Sequence, residues 1–375
     1  MKIITEQDVS KLLSSFSTFT NLKTISEGSN HFVFRMNLTS LDGKKLKKEI
    51  PTIMKFAKTR ETEGGITPPH LDTLFGGHLS LQRESYLFTS IKEQTAMPTP
   101  KVYKIGSSSI GEYLLIEAMP GEEWRDYLAH TGYKKALYLH TLECLGADFA
   151  VIQKMHYPSF GNIMDKGIIE PAGKTNFVDR WNSIIEMRIN HAVKKGAFSS
   201  DEADNIEYFF TSTLEGFRTQ LESTIATPVM VFTDMHAGNF FVDGNGKPSG
   251  YFDLESAQAA PAALEFYGFK FFLFNLFDKE TMNEAEDAFW KGYKENNGEF
   301  APKSKKDEEF IDFLSACRLL ELTNSYWGVY DGIRDTWAPR MKEMLFSYMR
   351  GKDIDYIEIG NIWRMRDKQP LLPNS

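Results

Sequence analysis

From Leu22 to Ala118 the chain runs in short β-type segments, at about Leu22 to Ser26, Phe32 to Leu38, Thr52 to Ala57, Lys101 to Ile105 and Glu112 to Ala118. Asp42-Gly43 between the second and third is a hairpin signal, and residues 106–111 supply the turn between the last two. A loop containing Gly and Pro, residues 64–77, leads into a helical segment, Leu79 to Lys92, whose Leu87, Phe88 and Ile91 share one face. With a short helix over residues 5–16 in front, the pattern predicts a five-stranded sheet with one helix inserted after the third strand.

After Met119-Pro120-Gly121 the period changes. Leu142, Leu145, Phe149, Ile152 and Met155 recur at helical spacing and predict a long core helix ending near His156, where Pro158 forbids continuation. Residues 175–225 read as two further helices, a β-rich stretch interrupts, and helices dominate again from Ala262 to about Arg350. The expected organisation is an N-terminal lobe over residues 1–118 and a C-terminal lobe over 119–375, joined at about 117–121.

At 375 residues and 42% hydrophobic content the chain is long enough for two globular lobes with separate cores. The formal net charge of −8 argues against nucleic acid as a partner and suits a cationic or neutral ligand. Two cysteines far apart, Cys144 and Cys317, give neither a disulfide framework nor a metal pattern, so a reducing, cytoplasmic setting is expected. The amino terminus lacks an apolar h-region. The most apolar stretch, Leu264 to Phe277, is only fourteen residues long and contains Glu265 and Lys270, so it reads as a buried helix and not a membrane span.

The candidate chemistry lies in the β-rich interruption. Asp234 precedes Asn239 by five residues, and Asp253 follows fourteen later, with short β runs before each acid. That spacing suits phosphoryl transfer from a magnesium nucleotide: one carboxylate takes the proton of an attacking hydroxyl, while an amide oxygen and a second carboxylate hold Mg²⁺. Upstream, Lys55 sits among apolar neighbours in the third strand, where an ammonium is costly unless it meets an anion. Glu84 is the candidate partner and Glu93 its rival. In the turn before the second strand, Gly28 lets backbone amides approach phosphates, and Ser29 and Asn30 add donors. The linker offers the Glu117 carbonyl and the Met119 amide to a purine edge.

With Lys55, Glu84, the 117–121 linker, Asp234, Asn239 and Asp253 in order, the chain resembles the aminoglycoside phosphotransferase and choline kinase family. The most specific portion is Asp234-Met-His-Ala-Gly-Asn239 with Asp253-Leu-Glu255, similar to that family's D-x-H-x-G-N and D-x-E elements; residues 145–161 resemble its helix and Phe-Gly turn. The resemblance implies an α+β, bilobal protein-kinase-like fold with a small lobe of five antiparallel strands plus a helix and a larger, mainly helical lobe. It also implies ATP or GTP as phosphate donor and a small-molecule alcohol, amine-bearing acceptors included, as substrate. Asp234 would be the base, Asn239 and Asp253 the Mg²⁺ ligands, Lys55 the contact to the α- and β-phosphates, and Glu84 its ion-pair partner. His236 and Glu255 also occupy family motif positions. One departure is Phe232, where the family usually has histidine, and it leaves the hydrogen bonding of Asp234 open. A choline- or ethanolamine-type kinase, a nucleotide-binding pseudokinase and an atypical protein kinase are the alternatives. No D-F-G and A-P-E pair follows Asp253, which favours a small acceptor. Residues 325–330 and 353–358 are faintly similar to choline kinase segments, and acids such as Glu186, Glu202, Asp204, Glu207, Glu321, Asp331 and Asp335 are candidates to line a pocket for an amino alcohol.

Overall fold

The computed structural model describes residues 3–27, 31–57, 80–170, 177–222, 227–329 and 336–366. A short helix, α1 (Glu6–Leu13), closed by a capping box between Thr5 and Asp8, lies ahead of β1 (Ser17–Glu27), β2 (His31–Leu41) and β3 (Lys44–Ala57). Helix α2 (Leu81–Gln94) follows, then β4 (Val102–Ser108) and β5 (Gly111–Glu117). The five strands form one antiparallel sheet in the order β1-β2-β3-β5-β4. The strands are longer than their apolar runs, because the lysine-rich segment 44–50 continues β3 back to the Asp42-Gly43 turn, both residues of which have positive φ.

Period-two alternation decides what each face carries. Phe32, Phe34, Met36 and Leu38 of β2, with Met54 and Phe56 of β3, bury against Val9 and Leu13 of α1 in a core of their own. The intervening residues, His31, Val33 and Arg35 of β2 and Ile53 and Lys55 of β3, line a cleft on the other side. Helix α2 packs there too: its Leu87, Phe88 and Ile91 belong to the larger core shared with the second lobe.

Beyond the sheet the chain continues as β6 (Glu122–Glu123), α3 (Trp124–His130) and α4 (Lys135–Ile152), then β7 (Gly161–Ile163) and β8 (Ile169–Glu170). Helices α5 (Phe177–Lys194), α6 (Ser200–Gly216) and α7 (Arg218–Glu222) come next. The β-rich interruption is β9 (Val229–Val231), β10 (Phe240–Val242), β11 (Pro248–Tyr251) and β12 (Gln258–Ala260). Among the described residues five helices follow: α8 (Ala263–Phe272), α9 (Lys279–Glu295), α10 (Lys305–Tyr326), α11 (Trp337–Met349) and α12 (Tyr356–Arg366).

Several of these elements differ from the sequence reading. The short strands β6, β7, β8 and β12 have too few residues to show a period; they pair in two small sheets, β11-β10-β6 and β8-β7-β12-β9. Between Asp253 and α8, a 3₁₀ turn (Leu254–Ser256) and β12 intervene. The apolar stretch from Leu264 is α8 followed by a separate 3₁₀ turn, 274–276, where the carbonyl of Leu273 accepts from Tyr138 Oη at 2.7 Å. Helices α4 and α9 cross at facing glycines: a Cβ on Gly146 would strike the Phe289 carbonyl, and one on Gly292 the Glu143 carbonyl. Both cysteines are free thiols, and among the described residues no helix is long and apolar enough to cross a membrane.

Candidate active site

The cleft between sheet and helical lobe has a volume of about 430 Å³. Its outer part is apolar, with Ile25, Val33, Ile53 and Ile116 above and Phe241 and Phe252 below. Glu117 and Met119 of the linker also line it. Ala118 N donates to Pro51 O at 3.0 Å, which fastens the linker to β3. Gly121 turns it into the second lobe at φ +95, so close to Val242 that a side chain would collide with that carbonyl.

The inner part is charged. Lys55 Nζ donates to both carboxylate oxygens of Glu84 at 2.8 Å and lies 3.3 Å from Asp253 Oδ1. Lys55 and Glu84 are buried, whereas the Asp253 side chain opens onto the cleft. Burial opposes the ammonium, yet Glu84, Asp253 and Glu255 together carry its pKa above the ordinary lysine value. For Asp253 burial acts upward and is outweighed by Lys55, His31 and His236, which hold the carboxyl below its usual range. Glu93, the rival partner, is exposed on the far side of α2.

Arg83, the neighbour of Glu84, is also fully buried. Its guanidinium donates to the carbonyls of Ile163, Glu255 and Ala257, fixing α2 to the segment that carries Asp253. Asp253 itself is left-handed, at φ 60, and so is Thr233, at φ 61. Non-glycine residues are held in that region only where surrounding bonds over-determine them. Here Thr233 Oγ1 donates to Ser256 O at 3.0 Å, its carbonyl accepts from Tyr267 Oη at 2.9 Å, and Ser256 Oγ donates to Phe232 O at 2.7 Å.

Asp234 stands at the mouth of this loop, with 38% of its side chain exposed. Its Oδ1 accepts from Arg318 Nη2 of α10 at 3.0 Å, and Arg318 lies over the ring of Phe272, 5.5 Å from its centroid. Asn239 Nδ2 donates to the Asp234 carbonyl at 2.8 Å, which leaves the amide oxygen as the end not engaged by that bond. Phe252 N donates to Asn239 O at 3.1 Å, so the two β-rich segments are tied together and Asn239 and Asp253 line the same cleft. His236 accepts from Gly238 N at 3.0 Å. Phe232 is a core residue, packed edge-on to Phe149 at 5.4 Å; its N–H donates to the buried carboxyl of Glu265. The partner that this sequence supplies to Asp234 is thus Arg318, 84 residues downstream.

The structure therefore brings Lys55, Glu84, Asp253, Asn239, Glu117 and Met119 to one cleft, with Asp234 beside it. Gly28, Ser29 and Asn30 lie outside the described residues, as do Tyr330, Asp331 and Asp335. Of the acids proposed for an acceptor pocket, Glu186, Asp204 and Glu207 are exposed, Glu202 caps α6 and meets Lys342 at 2.9 Å, and Glu321 is buried against Arg188 at 3.1 Å. Tyr326 and Trp327 are half-buried, the first packed on Trp337 and the second beneath Lys342. Arg318, Arg83 and His31 are the residues that sequence reasoning missed; each stands alone in its local sequence, without a spacing that would single it out.

No protein-family model matches the sequence, and no curated protein matches it either. Solved structures match in fold. A candidate fructosamine-3-kinase from Haemophilus somnus 129PT superposes with a TM-score of 0.55 at 12% identity, covering 89% of this chain and 96% of that one. The GDP complex of wild-type aminoglycoside 2'-phosphotransferase-IIIa gives 0.52 at 11% identity, covering 92% and 98%. Macrolide 2'-phosphotransferase type I gives 0.52 at 10% identity, covering 92% and 99%. With its five-stranded antiparallel sheet set over a larger helical lobe, the chain has the bilobal, protein-kinase-like fold that these proteins share.

Proposed function

We propose that the protein is a phosphotransferase that moves the terminal phosphoryl group of ATP or GTP to a hydroxyl of a small molecule. The observation that carries this reading is Lys55, held at 2.8 Å from Glu84 and 3.3 Å from Asp253 at the charged end of a cleft whose other end is apolar. A buried ammonium between two carboxylates on one wall of an open cleft is placed to meet phosphate oxygens. The phosphotransferases that share the fold support the same reaction class.

The purine lies between Ile53 and Phe252, with the Glu117 carbonyl and Met119 amide at its edge. Lys55 contacts the α- and β-phosphates, and Glu84 keeps its ammonium charged and aimed. Gly28, Ser29 and Asn30 are assigned to the phosphates on sequence alone. The donor set of Asn239 and Asp253, one amide oxygen and one carboxylate, suits Mg²⁺, which takes hard oxygen ligands and would neutralise charge on the phosphate oxygens. Asp234 accepts the proton as the acceptor oxygen bonds to the terminal phosphorus and the bond to the bridging oxygen of the nucleoside diphosphate breaks. Arg318 holds one oxygen of Asp234 so that the other faces the acceptor. The lobes meet at about 117–121, with residues 1–118 binding nucleotide and 119–375 carrying catalysis and the acceptor. A cytoplasmic location follows from a reaction that draws on ATP or GTP and from two unpaired thiols.

The test is release of nucleoside diphosphate across a panel of aminoglycosides, macrolides, choline and ethanolamine, sugars, nucleosides and peptides, with ATP and GTP in parallel. Turnover with one class of small alcohol, lowered ~10² to 10⁴ in Asp234→Asn, is the expected result. Labelled phosphate on polypeptide alone, or nucleotide binding with no turnover for any acceptor, would overturn it.

A further inference from the structure

A second group of ligating side chains stands where the two lobes meet. His31 opens β2 on its cleft face, while Asp253 and Glu255 belong to the segment after β11. One ligand atom from each of the three lies within 4.8 Å of the other two, and among the described residues no other group of His, Cys, Asp and Glu converges in this way. His31 Nε2 and Glu255 Oε2 are 3.4 Å apart. His31 and Glu255 are nearly buried, at 6% and 5% exposure, and Asp253 opens to the cleft. Donor atoms around one first-row divalent ion, at bond lengths of about 2.0–2.2 Å, stand roughly 3–4 Å from each other, so the trio needs little contraction to share an ion.

Charge points the same way. Three carboxylates, Glu84, Asp253 and Glu255, meet here, and the groups that act on them among the described residues include Lys55, Arg83 and the imidazoles of His31 and His236. A cluster of carboxylates this dense favours a further cation among them. Two carboxylates and an imidazole make a mixed oxygen and nitrogen set. Mg²⁺ prefers oxygen ligands and water, whereas Mn²⁺, Co²⁺ and Zn²⁺ accept imidazole readily.

We propose that His31, Asp253 and Glu255 form a site for a transition-type divalent ion, additional to the nucleotide's magnesium and sharing Asp253 with it. The magnesium half of this statement rests on the phosphotransferase reading; the three-residue site does not. Because His31 comes from the sheet and the two acids from the helical lobe, the ion joins the roof of the cleft to its floor. It binds before nucleotide and draws β2 onto the segment carrying Asp253.

The experiment uses the full chain, stripped with chelator and titrated with Mn²⁺ in the absence of nucleotide. Wild type is expected to bind one Mn²⁺ whose pulsed paramagnetic-resonance spectrum carries a nitrogen coupling from imidazole, and to unfold at higher temperature once loaded. His31→Gln should lose the coupling and the thermal shift and bind Mn²⁺ at least ~10-fold more weakly, as metal sites do even when a supporting residue is lost. Glu255→Gln should weaken binding and keep the coupling. A loaded wild-type spectrum without nitrogen coupling overturns the proposal, and that readout needs no variant to fold. Equal affinity in wild type and His31→Gln overturns it as well, and reduces His31 and Glu255 to an ion pair between lobes. Turnover without the nitrogen signal would sink this site and spare the phosphotransferase reading; the signal without turnover for any acceptor would do the reverse.

Discussion

Replacing Lys55 with Met removes the cation from the middle of the cleft, and the outcome is set by which of its partners is cut off from water. Glu84 is fully buried and accepts from Lys55 with both oxygens at 2.8 Å, whereas 42% of the Asp253 side chain is exposed and its attraction to Lys55 is screened. The loss therefore comes almost wholly from Glu84. Stranding one member of a buried ion pair costs about 3–5 kcal/mol, while exchanging both members for apolar side chains is neutral or mildly stabilising. Lys55→Met should accordingly lower the unfolding free energy by about 3 kcal/mol, and Lys55→Met with Glu84→Met should recover most of it. Urea unfolding of wild type, the two single variants and the double variant forms a complete cycle, with nucleotide-dependent turnover measured in parallel. All three variants should be inactive, since stability returns in the double variant but the phosphate contact does not. A Lys55→Met protein that unfolds at the wild-type urea concentration would refute the account of a buried, compensated charge. Turnover in the double variant would refute the phosphate role.

Other consequences are open to measurement. Glu265 is buried, its Oε1 meets no hydrogen-bond partner, and burial pushes its carboxyl up to about 8 despite the Phe232 N–H, so the folded protein holds a proton that the unfolded chain releases near 4.5. That contribution is complete below about 4.5 and disappears as pH rises through about 8, so wild type should lose stability between pH 5 and 8 relative to Glu265→Gln, by up to ~1.4 kcal/mol per pH unit. Parallel urea midpoints for the two proteins would show that Glu265 is ionised in the native state. Gly146→Ala should cost ~1–3 kcal/mol in unfolding free energy, because its methyl group must displace the Phe289 backbone, with nucleotide affinity unchanged in calorimetry. Arg318→Met should lower kcat by about 10- to 100-fold with KM nearly constant, as expected when the base is left in place but mis-aimed. Asp253→Asn should weaken nucleotide binding in the presence of Mg²⁺ and leave metal-free binding little changed, seen by titrating nucleotide with and without metal.

What could be read from the sequence, and what could not, follows from the range of the interactions involved. The five strands and α2 announce themselves because a sheet with one buried face writes its period into the chain, and Asp42-Gly43 gives the turn its positive φ values. Asp234, Asn239 and Asp253 are legible as a group because one tight loop and one hairpin hold them, so their geometry depends on local spacing. Arg318 is not legible. It is one arginine in a long helix whose apolar residues bury on several sides, and only packing of α10 against the loop reveals that it meets Asp234. Arg83 is equally silent, since a cation in the first turn of a helix normally points to water, and three backbone carbonyls from distant segments account for its burial. The acidic residues of the helical lobe are silent on direction, since net charge does not say which way a side chain points; of the five that are described, Glu186, Asp204 and Glu207 face solvent, as acids on helix surfaces generally do.

Arg83 has one more consequence. In protein kinases the corresponding glutamate reaches its lysine only after the helix bearing it has been moved into place, and that movement is where signals act. Here the carbonyls of Ile163, Glu255 and Ala257 moor the helix to the second lobe, and Lys55 and Glu84 are paired. On the phosphotransferase reading, meeting Lys55 therefore requires no swing of α2. Control by displacing that helix would first have to break all three of those bonds.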